Sequence, residues 1–340
     1  MTSRVLILSL HTELTGGPRV AANLRKHLPN SIHYTLLKPS CGEPPDGTLG
    51  LQASGNVRIL VLGLLRLHRL LNDLQPAVVI TESVHASFLA ALLRPIHRYS
   101  LTTRIGRLKD QRSALNVLQK FSFFLSDKIV APTKSCAESF KAPAEKTSII
   151  PNPLDFQDLD RHKLASSIAD PLPSFYLCLG RLIPEKNVEA AIAFFAQERA
   201  LGYAGVLRIV GCGPEPYRKD LQNLVERSGI VDHVVWSPPS VSPYALLSMA
   251  DAVLFFSQNE GFGYVPVESL YLGTPVITAR TRSGHLDILA EYGSGYFILD
   301  VPPGEHAEPF YPSLPRYRPA LTGYPNATAI AHKYMPYYYT

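Results

Sequence analysis

The sequence predicts an α/β protein built from two doubly wound domains, each a parallel sheet with helices on both faces. Short apolar runs of strand length alternate with segments of helical periodicity along most of the chain. This alternation occurs twice, and residues 165–174, which have the composition of a linker, separate the two sets. The length of 340 residues is sufficient for two domains. We therefore predict domains at 1–165 and 172–300 and a Pro- and Tyr-rich tail at 301–340.

The first set of elements begins with the apolar run 4–10, which predicts a buried strand. The loop after it contains Gly16 and Gly17, and a helix follows. Glycine in such a loop permits a positive φ or the close approach of a ligand. Residues 57–74 form a strongly apolar helical pattern with interspersed arginines. This helix either packs in the core or lies on a membrane surface.

The charge of the chain is unevenly distributed. Residues 1–150 contain 19 Lys and Arg against 9 Asp and Glu, a net charge of +10, and the remaining residues contain 14 against 19, a net charge of −5. A basic cluster precedes a helix with a Phe-rich face and consists of Arg104, Arg107, Lys109 and Arg112. The cluster is either a solvated loop or a contact with an anionic acceptor or an anionic membrane. It matches no nucleic-acid-binding module, so we expect no nucleic acid partner.

The segment 259–273 contains two carboxylates in an informative arrangement. The apolar run 251–257 before it predicts a buried strand, and the residues after its glycine-rich turn predict a helix that ends at Gly273. Glu260 therefore follows a strand, and Glu268 lies about two turns later at ~3.6 residues per turn. Backbone N–H groups, a positive helix end and two carboxylates then surround one crevice. Such a crevice suits a polyhydroxylated anion.

Two further loops of the second domain carry cations and glycines. The first contains Arg181 and Lys186, which supply the fixed positive charge that a departing diphosphate needs. The second contains Gly211 and Gly213. Ligands of doubly wound sheets bind beyond the carboxyl ends of the strands. We therefore expect the three loops to form one anion-binding site.

These loops resemble the signature of a known family. The segments GRLIPEKN, VGCGP and EGFGYVPVE, the last with seven residues between its glutamates, look like the signature of the retaining GT-B glycosyltransferases of family 4, or glycosyl transferases group 1. Weaker similarity is found in GGPRVAANL, IIPNPLD and SGHLDIL. The resemblance covers about residues 4–290 and is specific in the second domain and loose in the first.

The resemblance implies a GT-B fold, in which two Rossmann-like domains face each other across a cleft, and a nucleotide-sugar donor such as a UDP- or GDP-sugar. It implies that Arg181 and Lys186 bind the donor diphosphate, that Glu260 holds the donor sugar and that Glu268 accepts hydrogen bonds from the ribose. The remaining donor contacts that it implies come from glycine-rich loops and backbone N–H groups, at Gly16, Gly17, Gly211, Gly213, Gly261, Phe262, Gly263 and Tyr264.

The sequence departs from the family pattern in three places. Asn152 is followed by Pro153, where many members have glycine. Many members carry a first-domain histidine that contacts the donor sugar, whereas this chain has Arg104 at that position, with His85 and His11 as alternatives. The family usually ends in a helix that returns to the first domain, and the pattern of residues 301–340 predicts none.

No metal ion or cofactor is expected. Asp158 and Asp160 have the Asp-x-Asp spacing of metal-dependent glycosyltransferases, but they lie in a helical or loop context and not at a strand end. Arg181, Lys186 and helix dipoles would supply positive charge instead. The resemblance implies transfer with retention at the anomeric carbon. Because Glu268 is expected at the ribose, a double displacement between two carboxylates fits poorly, and front-face attack is favoured.

Three functions remain open. The first is transfer of a sugar to a polysaccharide, a lipid-linked acceptor or another cell-envelope acceptor. The second is a protein that binds nucleotide sugars but has lost transfer, and the third is a GT-B-fold epimerase, against which GRLIPEKN argues. Four scattered cysteines without metal-ligand spacing suit a reducing compartment, so we expect a cytoplasmic protein that can associate with the inner membrane surface.

Overall fold

The computed structural model describes residues 4–10, 16–37, 45–51, 56–108, 115–166, 173–239, 243–299 and 320–335. The chain divides into two compact units. Unit 1 comprises residues 1–155 and 325–340, and unit 2 comprises residues 156–324.

The described part of unit 1 contains a parallel sheet of seven strands. The strands are β1 (Val5–Ser9), β2 (Ser31–Leu37), β3 (Gly47–Leu51), β4 (Val78–Thr81), β5 (Ser100–Arg104), β6 (Lys128–Ala131) and β7 (Thr147–Ile149). Their order in the sheet is β3-β2-β1-β4-β5-β6-β7, and every pair is parallel. The strand order reverses between β1 and β4, as in a doubly wound sheet.

The helices that connect these strands bury apolar side chains against the sheet. They are α1 (Gly16–His27), α2 (Asn56–Leu74), α3 (Val84–His97), α4 (Leu115–Leu125) and α5 (Lys134–Phe140). Ser83 and Thr133 define the starts of α3 and α5, because their side-chain oxygens accept hydrogen bonds from backbone amides of the first turn. The apolar helix α2 packs Leu67 and Leu71 in the core. No helix among the described residues is long and apolar enough to cross a bilayer.

The described part of unit 2 repeats this topology. Its elements are α6 (Phe156–Ser166), β8 (Phe175–Leu179), α7 (Val188–Ala200), β9 (Val206–Val210), α8 (Glu215–Arg227), β10 (Val234–Ser237), α9 (Tyr244–Met249), β11 (Ala252–Phe255), α10 (Tyr264–Leu272), β12 (Val276–Ala279), α11 (Gly284–Tyr292), β13 (Gly293–Ser294), β14 (Tyr296–Leu299) and β15 (Ala320–Leu321). The parallel sheet has the order β10-β9-β8-β11-β12-β14, and β13 pairs with β15 in a small antiparallel ribbon. The prediction of two doubly wound α/β sheets is confirmed.

The ends of the predicted domains require correction. Helix α6 belongs to unit 2, where the ring of Phe156 lies 4.8 Å from that of Tyr271, so the units divide after Asp155 and not within 165–174. The predicted boundary lies too late in the chain because α6, which precedes it and extends to Ser166, packs in unit 2.

The predicted tail contains a helix, contrary to the prediction that residues 301–340 have none. This helix, α12 (Ala327–Lys333), belongs to unit 1, where Thr102 and Lys128 donate hydrogen bonds to the carbonyls of Tyr334 and Met335 at 3.2 and 3.0 Å. It has only seven residues, too few to show a period, and a helix of this length depends on tertiary packing for its stability. Residues 300–319 lie outside the described residues.

Candidate functional site

Three loops follow neighbouring parallel strands of unit 2. They follow β8, β9 and β11, and β8 lies between the other two in the sheet. Because the carboxyl ends of parallel strands share one edge, the loops are adjacent there. A pocket at this edge is lined by residues that include Gly180, Arg181, Lys186, Phe255 and Ser257.

The loop after β8 is joined to the loop after β9 by main-chain hydrogen bonds. The amide of Gly180 donates to Val210 O at 3.0 Å, and the amide of Leu182 donates to Cys212 O at 2.8 Å. The chain then forms a short 3₁₀ turn, Pro184–Lys186, before α7 begins. This arrangement fixes the backbone that carries the exposed Arg181 and the half-buried Lys186.

Gly211 and Gly213 are required by packing between these two loops. A Cβ atom at Gly211 would lie 1.8 Å from the carbonyl oxygen of Gly180, and one at Gly213 would lie 1.8 Å from that of Leu182. No side chain could be accommodated at either distance without backbone movement. The structure therefore gives these glycines a role in loop packing, which the sequence pattern could not separate from ligand approach.

The loop after β11 is attached to the loop after β8. The carbonyl of Glu185 accepts hydrogen bonds from the amide of Gln258 at 2.9 Å and from the hydroxyl of Ser257 at 3.1 Å. Lys186 and Glu260 form an ion pair, and their side chains are only 20% and 16% exposed. The sequence predicts a role for each residue but not their pairing, since the two are 74 positions apart. Partial burial makes such a pair stronger than a solvated one.

The backbone of Glu260 is held by the start of α11. The amide of Glu260 donates to Ser283 Oγ at 2.9 Å, and the amide of Gly284 donates to the carbonyl of Glu260 at 2.8 Å. Both partners lie in the SGHLDIL segment, which the sequence marks only as a loop similar to one of the family. Ser283 and Gly284 are thus residues of the site that sequence reasoning missed.

The imidazole of His285 contacts the hydroxyl of Ser283 and fixes its position. Its Nδ1 lies 2.9 Å from Ser283 Oγ, and its Nε2 lies 3.0 Å from Thr278 Oγ1. The imidazole is fully buried. Burial and the nearby positive charge of Lys186 lower the pKa of His285 to about 3, so the ring is neutral at physiological pH. A neutral ring can bridge two hydroxyls without placing a second charge beside the Lys186–Glu260 pair.

The turn between Glu260 and α10 directs aromatic side chains inward. Phe262 and Tyr264 are buried, with ring centroids 5.1 Å apart in a T-shaped contact. Gly263 has φ of +78°, and a Cβ atom there would lie 2.8 Å from the Cβ of His285. The turn ends where α10 begins, at Tyr264. The N-terminus of a helix carries the positive end of its dipole, and its first amides point out of the helix.

Glu268 lies in α10 and is only 2% exposed. Its Oε1 accepts a hydrogen bond from the hydroxyl of Tyr244 at 3.4 Å. Tyr244 is the first residue of α9, and the sequence analysis did not identify it as a candidate site residue.

The candidate residues of unit 1 differ from expectation. Gly16 and Gly17 are the first two residues of α1 and not part of the preceding loop, a shift within the usual uncertainty of helix ends. His85 is half-buried on α3, and its pKa is lowered by burial. His11 lies outside the described residues.

Arg104 is not part of an exposed basic cluster. Its side chain is 2% exposed, its Nη1 lies 3.1 Å from Glu82 Oε2, and its Nη2 donates to Asn152 Oδ1 at 2.6 Å. Burial raises the pKa of Glu82 to about 7. These residues follow or end β4, β5 and β7, so strand geometry brings together groups that are distant in the sequence. A surface assignment for Arg104 is wrong because it relied on neighbouring charges along the chain.

The other members of the predicted cluster are placed as follows. Arg107 is half-buried; its Nη2 donates to Asn116 Oδ1 at 3.2 Å, and its guanidinium lies 5.6 Å from the ring centroid of Phe140. Lys109 and Arg112 lie outside the described residues.

The Asp-x-Asp pair lies on helix α6. Asp158 forms an ion pair with Arg161 at 3.0 Å, and Asp160 accepts a hydrogen bond from the hydroxyl of Tyr271 at 2.7 Å. Within the described part of the chain, no cluster of three His, Cys, Asp or Glu residues could hold a metal ion.

Comparison with protein families and curated proteins gives consistent matches. Residues 163–307 match the family described as Glycosyl transferases group 1. The chain is 28% identical over 205 residues to a GDP-mannose-dependent α-(1-6)-phosphatidylinositol dimannoside mannosyltransferase of Mycobacterium tuberculosis, covering 56% of this chain and 52% of that protein. It is 27% identical over 147 residues to the O-antigen chain mannosyltransferase RfbU of Salmonella typhimurium, covering 43% of this chain and 38% of that protein. The chain spans about half the length of the curated relatives it matches, or less.

Solved structures share the fold. Sucrose-phosphate synthase from Thermosynechococcus elongatus has a TM-score of 0.70 at 17% identity, with coverage of 89% of this chain and 86% of that one. HepE from Anabaena, solved in complex with UDP, has a TM-score of 0.69 at 18% identity with the same coverages. At these identities the similarity shows the fold, which is that of GT-B glycosyltransferases.

Proposed function

From the premise that residues 163–307 belong to the glycosyl transferases group 1 family, we propose that the protein transfers a sugar from a nucleotide-sugar donor to a glycan or lipid-linked acceptor of the cell envelope. The alternative of a donor-binding protein without transfer activity is an outcome of the test below.

The Lys186–Glu260 ion pair is the observation that carries this proposal. It lies at the carboxyl edge of the sheet, in a pair of loops joined through Glu185 O. A nucleotide-sugar donor presents a diphosphate, which requires cations, next to sugar hydroxyls, which require acceptors. Lys186 and Glu260 supply one of each within contact distance of each other.

The role of each residue follows from its chemistry. Lys186 and the exposed Arg181 bind the diphosphate, and their charge stabilises the nucleoside diphosphate as it departs. Glu260 accepts hydrogen bonds from the sugar, and the amides at the start of α10 contact its remaining oxygens. Glu268, oriented by Tyr244, accepts hydrogen bonds from the ribose.

We further propose transfer with retention and without a metal ion. Asp158 and Asp160 are engaged by Arg161 and Tyr271 on α6, so they are poor candidates for a metal site. In front-face attack the acceptor oxygen forms a bond to the anomeric carbon as the bond from that carbon to the diphosphate breaks, and the departing diphosphate takes the proton of the acceptor hydroxyl. An inverted anomeric product, detected by NMR, would overturn this mechanism.

The nature of donor and acceptor follows from the relatives as a proposal. One relative is named as GDP-mannose-dependent and acts on a phosphatidylinositol dimannoside, another is an O-antigen chain mannosyltransferase, and HepE was solved with UDP. The donor panel should therefore contain UDP- and GDP-sugars, with ADP-sugars for comparison.

The test measures thermal stability and transfer with each donor in turn. A donor at about 100 times its Kd stabilises the native state by about 2.7 kcal/mol, so one donor should raise the Tm clearly. Glu268→Ala should abolish this shift, and Lys186→Ala should lower kcat by roughly 10²–10³-fold, as expected for loss of one preorganised charge contact. Lys219→Ala, at an exposed lysine on α8, is the matched control and should change neither value.

Three outcomes are decisive. Binding and transfer that both depend on Lys186 support the proposal. Binding without transfer to any acceptor would favour the donor-binding protein instead. No shift with any donor would contradict the proposed site.

A further inference from the structure

Helix α4 exposes apolar side chains to solvent and buries mainly polar ones. Its buried side chains are mostly polar, namely Asn116, Gln119 and Ser122, and Phe123 is the apolar residue among them. The side chains on its outer face are apolar and exposed, namely Val117 at 71%, Phe121 at 39% and Phe124 at 78%. The outer residues recur at i, i+4 and i+7, so they form one stripe along the helix. Contiguous exposed apolar surface of this kind is typical of sites that bind another protein or a membrane.

The exposed apolar surface continues onto the two preceding helices. Because β3, β4, β5 and β6 are connected by parallel crossovers that advance in the same direction, α2, α3 and α4 lie on the same side of the sheet. Ring contacts join them: Phe88 of α3 lies 5.5 Å from Phe121 of α4, and His97 of α3 lies 4.8 Å from His68 of α2.

The residues that these helices expose define the apolar face of unit 1. On α2 they are Val61, Leu62 and Leu65; on α3, Ile96; and on α4, Val117, Phe121 and Phe124. At the other exposed positions of the same helices the ionisable side chains are mainly basic: Arg66, Arg69 and Lys120 against Asp73. The half-buried Lys146 donates to the carbonyl of Phe124 at 3.2 Å, so its ammonium lies beside the backbone of the stripe.

The position of Lys120 distinguishes between possible partners. It lies within the apolar stripe, between Val117 and Phe121 in sequence, and is itself exposed. Lysine is depleted at the centre of protein–protein interfaces, where it would lose its hydration. At a bilayer surface a lysine can keep its ammonium at the headgroups while its aliphatic stem lies along the apolar region. Aromatic side chains with cations among them and few anions match an anionic lipid surface.

We propose that the apolar face of unit 1 docks onto a bilayer surface that contains anionic lipids. Val117, Phe121 and Phe124 insert at the boundary between headgroups and acyl chains, and Lys120 and Lys146 contact the lipid phosphates. This surface is different from the basic cluster predicted from the sequence, in which Arg104 is buried.

Vesicle co-sedimentation of the full chain tests the proposal. We expect binding to phosphatidylcholine vesicles that contain phosphatidylglycerol and weak binding to phosphatidylcholine alone. Val117→Gln with Phe124→Gln should abolish binding without changing the net charge. Lys120→Gln with Lys146→Gln should weaken binding to the anionic vesicles by about 25-fold, from roughly fivefold for each cation.

The matched control replaces exposed apolar residues of unit 2. Leu201→Gln with Val231→Gln, at positions 39% and 54% exposed, should leave binding unchanged. All of these side chains except the half-buried Lys146 are exposed, so the variants should keep their Tm. As a second measurement, Phe124→Trp in a Trp236→Phe background should be quenched by brominated lipids in anionic vesicles, because Trp236 is the only native tryptophan.

Two results would overturn the proposal. One is vesicle binding by the Val117→Gln/Phe124→Gln variant that equals binding by the control. The other is a native dimer that this variant dissociates, because the face would then be an interface between two copies of the chain. Vesicle binding is measured without donor and donor binding without vesicles, so this proposal and the proposed function can fail separately.

Discussion

The two units have the same central strand order, yet the ion pairs at the carboxyl edges of their sheets differ in their exposure to solvent. In unit 2 the Lys186–Glu260 pair is partly exposed and borders a pocket lined by the exposed Arg181. In unit 1 the Glu82–Arg104 pair is withdrawn from solvent, with side chains 0% and 2% exposed. The charges at one edge are thus accessible from solvent, whereas those at the other contact each other within the protein.

The two units also differ in how many large apolar side chains their surfaces expose. Most of the large apolar side chains that are exposed among the described residues belong to unit 1, where α2, α3 and α4 present them together. In unit 2 the exposed apolar residues are Leu201, Val231 and Val235. A shared topology therefore leaves function open, and the loops and helix faces decide what each unit contacts.

The largest expected effect comes from breaking the buried pair of unit 1. At pH 8, above the pKa of Glu82, Arg104→Ala leaves the Glu82 carboxylate without its buried partner and should lower the free energy of unfolding by about 3–5 kcal/mol. Hydrogen exchange of the amides in β4 and β5 measures the loss within unit 1. Arg25→Ala, which removes an exposed pair with Asp46, is the control and should cost at most about 1 kcal/mol. Equal losses in the two variants would contradict the distinction between the edges.

A smaller effect is expected from the glycine loop of unit 2. Gly213→Ala forces a methyl group against the carbonyl of Leu182, so it should lower the free energy of unfolding by about 2 kcal/mol and weaken donor binding as the two loops separate. Cys212→Ala, at an exposed position between the two glycines, should change neither quantity. Calorimetry and donor titration of both variants measure the difference. Unchanged Tm and affinity in Gly213→Ala would show that the loops are not held by this packing.

The smallest expected effects concern the pH dependence of stability, which should have opposite signs for one buried group in each unit. The pKa of Glu82 is raised to about 7, so the stability that its protonated form contributes is complete below about 4.5 and is lost as the pH rises through 7. The pKa of His285 is lowered to about 3, so the stability that its neutral form contributes is complete above about 6.5 and is lost as the pH falls toward 3. Between pH 5 and 6 the two contributions therefore change in opposite directions, each by at most about 1.4 kcal/mol.

Two variants isolate these contributions. The difference in unfolding free energy between wild type and Glu82→Gln should fall as the pH rises from 5 to 6, and that between wild type and His285→Gln should rise. Chemical denaturation at the two pH values measures both differences. Slopes of the same sign would show that one of the groups is not protonated as inferred.

The sequence was sufficient for features that depend on local pattern. Alternating apolar runs and helical periods predicted both sheets, and the strand-loop-helix context of Glu260 predicted its position at a carboxyl edge. The seven residues between Glu260 and Glu268 likewise placed the second glutamate on the following helix, where the structure has it.

The features that failed depend on contacts between distant segments. Arg104 looked like a surface residue because its sequence neighbours are basic, whereas its partners Glu82 and Asn152 come from other strands. The support of Glu260 by Ser283 and His285 has no local signal, because hydroxyl and imidazole side chains at that spacing occur in many ordinary loops. The reversed polarity of α4 was visible only as a Phe-rich face, since a periodic pattern does not indicate which face is buried.

Helix α12 makes unit 1 discontinuous along the chain, and this has a consequence for biosynthesis. The buried Ile330 of this helix comes after the whole of unit 2, as do Tyr334 and Met335, whose carbonyls accept from Thr102 and Lys128. On a ribosome, domains fold as units once their residues have emerged. Unit 2, although second in sequence, can therefore complete its packing while unit 1 still awaits its last helix.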